Sequence, residues 1–208
     1  MKQAFIWDLD GTLLDSYDVI VESIYLTFQT FGIPLSREQI HHHAIEFSTK
    51  SLFQQMENKY GISVAQLQQK YSEISTAKYR QIKLMDHSLE ILQALEKTGA
   101  EHYVFTHRGK TTIPVLDNLS MTGYFREILT SQSGFARKPD PEAIFYLMEK
   151  YDLDPKATWY VGDRAIDMEC AQNAGIKGIL YLPENAIDVS GGAETVIVKD
   201  LLDILSLI

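Results

Sequence analysis

Two rhythms of apolar and polar residues run along the chain. From Tyr17 to about residue 83 the apolar positions recur at helical spacing. Ile20, Ile24, Phe28 and Phe31 form one stripe, closed by Gly32 and Pro34. Ser36 with Gln39 and Ser63 with Gln66 have the spacing of capping boxes. The second box opens a long stripe of Leu67, Tyr71, Ile74, Lys78 and Ile82. Elsewhere the apolar residues come in short runs: Ala4 to Trp7, then HYVFT (102–106), EILT (127–130), TWYVGD (158–163), GILYL (178–182) and ETVIV (194–198). Between them fall helical patterns at Leu89 to Leu95, Ile144 to Tyr151, 164 to 174, and a last one through 207. The first, Ala4 to Trp7, is apolar throughout, as suits a strand buried on both faces of a parallel sheet. The alternation of strand and helix predicts an α/β fold, a doubly wound, Rossmann-like parallel sheet. The α/β core is predicted over 1–15 and 84–208, and an inserted all-helical domain over 16–83, with 14–18 and 83–87 as hinge strands.

Composition narrows the function classes. The chain has 208 residues, 45% of them apolar and 23% charged, enough for one large domain or for a core domain carrying a smaller insertion. A formal net charge of -9 argues against nucleic acid and anionic membrane as partners, since phosphate surfaces favour Lys and Arg. No apolar run reaches the roughly 20 residues of a membrane span, and the N-terminus does not read as a signal peptide. One cysteine, Cys170, cannot form an intrachain disulfide and most simply packs. A cytoplasmic protein is expected.

Ligands of doubly wound sheets sit beyond the C-terminal strand ends. Asp8 and Asp10 follow the first strand, Thr106 and His107 follow the second, and Asp163 and Asp167 follow WYVG. Lys138 lies on the loop after EILT. Unit charges about 4 Å apart repel by roughly 4 kcal/mol at an effective dielectric near 20, so such acids need a cation among them. Lys138 supplies one charge, and an all-oxygen donor set points to Mg2+ rather than zinc. Pro139 keeps Lys138 extended, Asp140 is the expected N-cap of the next helix, and Pro141 its first residue. Asp163 and Asp167 share a helix face if the helix starts directly after Gly162.

DLDGTLLDS, Thr106, Lys138-Pro139 and GDRAID (162–167), in this order, resemble the four motifs of the haloacid dehalogenase-like hydrolase superfamily. The helical block stands where that family carries its C1-type cap, and the opening is similar to the phosphoglycolate phosphatase-like branch. The resemblance implies a phosphatase acting on a small phosphorylated metabolite. It makes Asp8 the nucleophile and Asp10 the general acid and base. Asp8, the Asp10 backbone carbonyl and Asp163 would hold Mg2+, with Asp167 in support. Thr106, the amides near it and Lys138 would bind the phosphoryl group. Thr12 and His107 join the candidate substrate-binding residues. His107 stands where many relatives carry Asn, and either its side chain or only its backbone amide matters.

Other readings carry less. A calcium loop starting at Asp8 would need Gly and Glu where Leu13 and Val19 stand. His41, His42 and His43 are consecutive, so they cannot face one ligand from a helix. Lys50 and the Tyr17–Asp18 segment are the helical block's candidates for touching substrate. A phosphomutase of the β-phosphoglucomutase type would carry Val at Thr12 and His at Ile20. A dehalogenase or phosphonatase would lack Asp10. A non-catalytic binding protein on this scaffold should have lost a catalytic residue. Neither the identity of the phosphomonoester nor the oligomeric state is written in the sequence.

Overall fold

The computed structural model describes residues 2–46, 49–183 and 195–208, without the side chains of 44–46. Two compact units emerge, one of Met1–Asp15 with Lys83–Ile208 and one of Ser16–Ile82. The second is helical: α1 (Tyr17–Thr30), α2 (Arg37–Glu46), α3 (Thr49–Tyr60) and α4 (Val64–Lys78). Its core gathers Val21, Ile24, Phe28, Ile33, Ile40, Leu52, Phe53, Met56 and Leu67. Both capping boxes form. The Ser36 amide donates to Gln39 Oε1 (3.0 Å) and the Gln39 amide to Ser36 Oγ (3.2 Å), and Ser63 and Gln66 do the same. The stripe beginning at Leu67 ends sooner than its spacing suggests. After Lys78 one 3-10 turn (Tyr79–Gln81) breaks the helix, so the buried Ile82 lies beyond it.

The first unit is built on strands β1 (Ala4–Trp7), β2 (Leu14–Asp15), β3 (Lys83–Leu84), β4 (Glu101–Phe105), β5 (Phe125–Leu129), β6 (Thr158–Gly162), β7 (Lys177–Tyr181) and β8 (Thr195–Val198). Six of them form one sheet in the order β5-β4-β1-β6-β7-β8, with every pairing parallel. Helices α5 (Ser88–Lys97), α6 (Thr112–Asn118), α7 (Glu142–Tyr151) and α8 (Ala165–Ala174) connect them. The α/β fold class thus follows as expected. The central strand carries no polar side chain except the indole N–H of Trp7, which is fully buried and donates to His102 Nδ1 at 3.1 Å. Burial pushes the His102 imidazole down to about 4, so it stays a neutral acceptor. Among the described residues no helix is long and apolar enough to cross a membrane.

Several local expectations are corrected. The hinge strands are two residues each, Leu14–Asp15 against Lys83–Leu84, because α1 already begins at Tyr17. Helix α6 is unforeseen: Thr111, Thr112 and Ile113 favour extended backbone, and Pro114 discourages a helix. Pro114 sits in the first turn, where its missing N–H has no intrahelical partner to lose. The last helix is a 3-10 helix, Leu201–Leu207. Leu201 and Ile204 are buried and Leu207 partly so, a spacing of three residues that matches 3-10 rather than α geometry. Of the segment ETVIV, Glu194 lies outside the described residues.

One exposed pair ties the turn before α5 to the start of that 3-10 helix. His87 Nδ1 lies 2.8 Å from Asp200 Oδ1, and this hydrogen bond raises the imidazole above its ordinary 6.5. A raised histidine stabilises the fold fully below its unfolded value, and the contribution is lost as pH rises through the folded value. The urea midpoint of His87→Ala should therefore fall further below wild type near about pH 5.5 than near about pH 8.5.

Candidate active site

The register of the sheet brings the candidate residues to one edge. Trp7 pairs with Val104 on one side and with Val161 on the other. The segments that follow β1, β4 and β6 therefore leave the sheet side by side, where the strand order reverses. The Asp8 amide still donates to Val161 O (2.8 Å), after which the chain folds into a tight turn. The amides of Thr12, Leu13 and Leu14 all point to Leu9 O, at 3.2, 3.0 and 2.8 Å. Gly11 has φ +82, which a side chain would resist.

At the centre lies the ammonium of Lys138. Its side chain is 0% exposed, and its Nζ is 2.9 Å from Asp8 Oδ1 and 2.7 Å from Asp167 Oδ1. The same Nζ sits 5.4 Å from the Phe105 ring centroid and 5.2 Å from that of Tyr160. Burial alone would discharge all three groups. For Lys138 the two carboxylates outweigh it and raise the ammonium above its usual range. For Asp8 burial is overcome by the charges of Lys138 and Arg164, and the carboxyl falls below its ordinary value. Asp167 is raised, by burial first and by the neighbouring Asp8.

Lys138 reaches this place from the long loop between β5 and α7, which is pinned on two sides. Its backbone amide donates to His107 Nε2 at 3.0 Å. From α8, Asn173 Nδ2 donates to Pro139 O (2.9 Å) and Cys170 Sγ to Asp140 O (3.4 Å). The cap of α7 differs from expectation. Asp140 Oδ1 does accept from the Glu142 amide (3.0 Å), but Pro141 precedes the helix instead of opening it. The predicted i, i+4 helix face is also corrected, because α8 starts only at Ala165. Asp163 stays on the loop, Arg164 is extended, and Asp167 Oδ2 accepts the Arg164 amide at 3.1 Å. Asp167 thus caps a helix with one oxygen and holds Lys138 with the other.

Thr12 Oγ1 donates to Asp163 Oδ1 (3.3 Å), so its hydroxyl serves the acid cluster. Thr106 is buried; its amide donates to Leu129 O (3.0 Å) and its Oγ1 accepts from the Arg108 amide (3.2 Å). Two of the amides expected to bind an anion are therefore already committed, which leaves the Thr106 O–H to donate. His107 packs edge-on against Phe105, and burial with the charges of Lys138, Arg137 and Arg164 holds its imidazole down to about 2. Asp10 stands apart from the other acids. Arg108, whose side chain is only 8% exposed, clamps its Oδ1 through Nη2 and through Nε at 3.0 Å. Sequence reasoning passed over Arg108, although it lies two positions beyond Thr106 at the same sheet edge. In the helical unit, Tyr17 packs edge-on against His41, and Lys50 is exposed. Asp18, Arg37 and His41 line a cavity of about 540 Å3 there.

Asp8, Asp163 and Asp167 each present a ligand oxygen, all within 4.8 Å of one another. Asp8 Oδ2 is buried without a hydrogen-bond partner among the described residues. A buried carboxylate oxygen left bare is costly unless a cation takes it. These residues therefore fit a hard divalent ion, with oxygen donors of the kind Mg2+ accepts. The Asp10 carboxylate, in contrast, is engaged by Arg108 through Oδ1 and is not one of these three.

Gly162 is what lets Asp167 approach. A Cβ at this position would stand 2.5 Å from both Asp167 Cγ and Oδ2. Gly162→Ala should cost about 1–3 kcal/mol of stability, the range for overpacking a filled site, measured by denaturant unfolding.

The model of the haloacid dehalogenase-like hydrolases matches residues 5–181. A phosphoglycolate phosphatase from Pseudomonas putida is 24% identical over 99% of this chain and 79% of its own length. The crystal structure of a hydrolase from Streptococcus pneumoniae is 30% identical, covers 88% of this chain and 94% of its own, and superposes with a TM-score of 0.61. That of a predicted phosphoglycolate phosphatase from Haemophilus somnus shares the fold at a TM-score of 0.84, with 21% identity over 99% and 97% of the two chains. A family match over most of the length, on a fold these solved structures share, means that this chain belongs to the haloacid dehalogenase-like hydrolases.

Proposed function

We propose that this hydrolase is a Mg2+-dependent phosphatase that cleaves a small phosphomonoester through an aspartyl-phosphate on Asp8. The observation that carries the reading is the Asp8 carboxylate: buried, held by Lys138 through one oxygen, and bare at the other. Its relatives named as phosphoglycolate phosphatases support the substrate class. We assign the helical domain, 16–83, to the cap that in this family sets substrate choice.

In this reading an Asp8 oxygen forms the new bond to phosphorus while the bond to the leaving oxygen breaks. Asp10, oriented by Arg108, gives that oxygen its proton and later takes one from the water that cleaves the acyl-phosphate. Lys138 faces the negative charge that collects between nucleophile and phosphoryl oxygens, and the Thr106 hydroxyl donates to one of them. Asp8, Asp163 and the Asp10 carbonyl would hold Mg2+, with Asp167 in support, and the ion would supply further neutralisation of phosphoryl charge. Burial of Lys138 keeps its ammonium from being satisfied by water, so its field acts on the reacting group.

A mutase reading finds less support. Ile20, where a mutase would need a proton-transferring histidine, packs as hydrocarbon against the core of the helical unit.

Phosphate release from a panel of sugar phosphates, phosphoglycolate and nucleotides should require Mg2+ and stop with chelator. Asp8→Asn should abolish turnover, and Asp10→Asn should lower it by about 10²–10⁴-fold. A wild type inert on the whole panel, or an Asp8→Asn enzyme of full activity, would overturn the reading.

A further inference from the structure

The Lys138 ammonium works only if a loop without regular structure delivers it to one point. Residues 130–141 contain neither strand nor helix, yet the side chain at their centre is 0% exposed between two carboxylates. Contacts from α8 hold the next two residues, Pro139 and Asp140, by their carbonyls. The hydrogen bond to the backbone of Lys138 itself comes from elsewhere: His107 Nε2 accepts its amide at 3.0 Å. A ring nitrogen that accepts an N–H is unprotonated, so the imidazole proton sits on Nδ1 and the ring is neutral.

The ring is also fixed in direction. It meets Phe105 edge-on, with centroids 6.3 Å apart and planes at 88°. Phe105 is also one of the two rings, with Tyr160, over which the Lys138 ammonium lies. One aromatic side chain at the end of β4 therefore supports both the imidazole that grips the Lys138 backbone and the head of the same residue. Burial and the surrounding cations keep the imidazole neutral, with a value of about 2, so the acceptor persists across the working pH range.

We propose that His107 is the positioning residue for Lys138: its Nε2 fixes the Lys138 backbone so that the ammonium falls between Asp8 and Asp167. The proposal rests on the phosphatase reading for its kinetic consequence but not for the hydrogen bond itself. It decides between side chain and backbone at this position in favour of the side chain. Because Lys138 meets charge that develops during reaction, a loosened Lys138 lowers turnover more than binding.

The test compares His107→Phe, which keeps a ring against Phe105 but has no acceptor, with His107→Gln, whose amide oxygen is an acceptor at similar reach. His107→Phe should lower kcat by about 10- to 100-fold, the scale of a small misplacement at a reacting centre, with KM changed much less. His107→Gln should recover most of that loss. Hydrogen exchange at the Lys138 amide should be slow in wild type and in His107→Gln and fast in His107→Phe. A wild-type amide that exchanges at the rate of a free chain overturns the proposal, as does His107→Phe with wild-type kcat. Equal losses of kcat in Phe and Gln variants, with the amide still protected in Gln, overturn it too. If the wild type hydrolyses no phosphomonoester, the phosphatase reading fails, while amide exchange in the wild type and variants still decides whether His107 holds Lys138.

Discussion

A buried ammonium between two buried carboxylates is the constraint on which the rest of this structure depends. Removing such charges from water costs several kcal/mol per ion, and their attraction repays it only with good geometry and filled hydrogen-bond sites. Hydrocarbon of the same volume would make a steadier core. The chain instead spends much of its local architecture on holding Lys138, Asp8 and Asp167 together. Parallel pairing of β1 with β4 and β6 sets Asp8, and the absent Cβ of Gly162 admits Asp167. The start of α8 delivers Asp167, and Tyr160 and Phe105 floor the site. Tyr160 is itself tied across the sheet, its hydroxyl donating to Phe105 O at 2.8 Å.

The organisation of the acids into separate tasks follows from their partners. Asp167 has both oxygens in use, by Lys138 and by the Arg164 amide. Asp163 receives the Thr12 hydroxyl. Asp8 has one oxygen bare, and Asp10 has its Oδ1 clamped by Arg108. Side chains that look alike in sequence thus differ in what remains for a ligand to use.

Much of this was legible in the residues. The central strand β1 is short and apolar throughout, its neighbour β6 is buried along its whole length, and candidate residues stand directly after both. What escaped has local physical causes. Helix α6 hides behind Pro114, because proline is read as a breaker although it is harmless in a first turn. The Asp163–Asp167 spacing suggested a shared helix face, but i, i+4 spacing does not say where a helix begins. Arg108 carried no motif, and only the folded chain shows that its guanidinium turns to Asp10, 98 positions away. The role of His107 needed the third dimension as well, since Lys138 is distant in sequence and supplies only a backbone N–H.

The chain's only thiol, that of Cys170, is fully buried beneath the loop that carries Lys138. Burial pushes it up to about 12, so at neutral pH there is almost no thiolate to react with peroxide or a disulfide. The candidate reaction also uses carboxylates, an amine and hydroxyls, none of which changes oxidation state. Oxidative stress that silences cysteine-dependent phosphatases would find almost no thiolate to attack in this one.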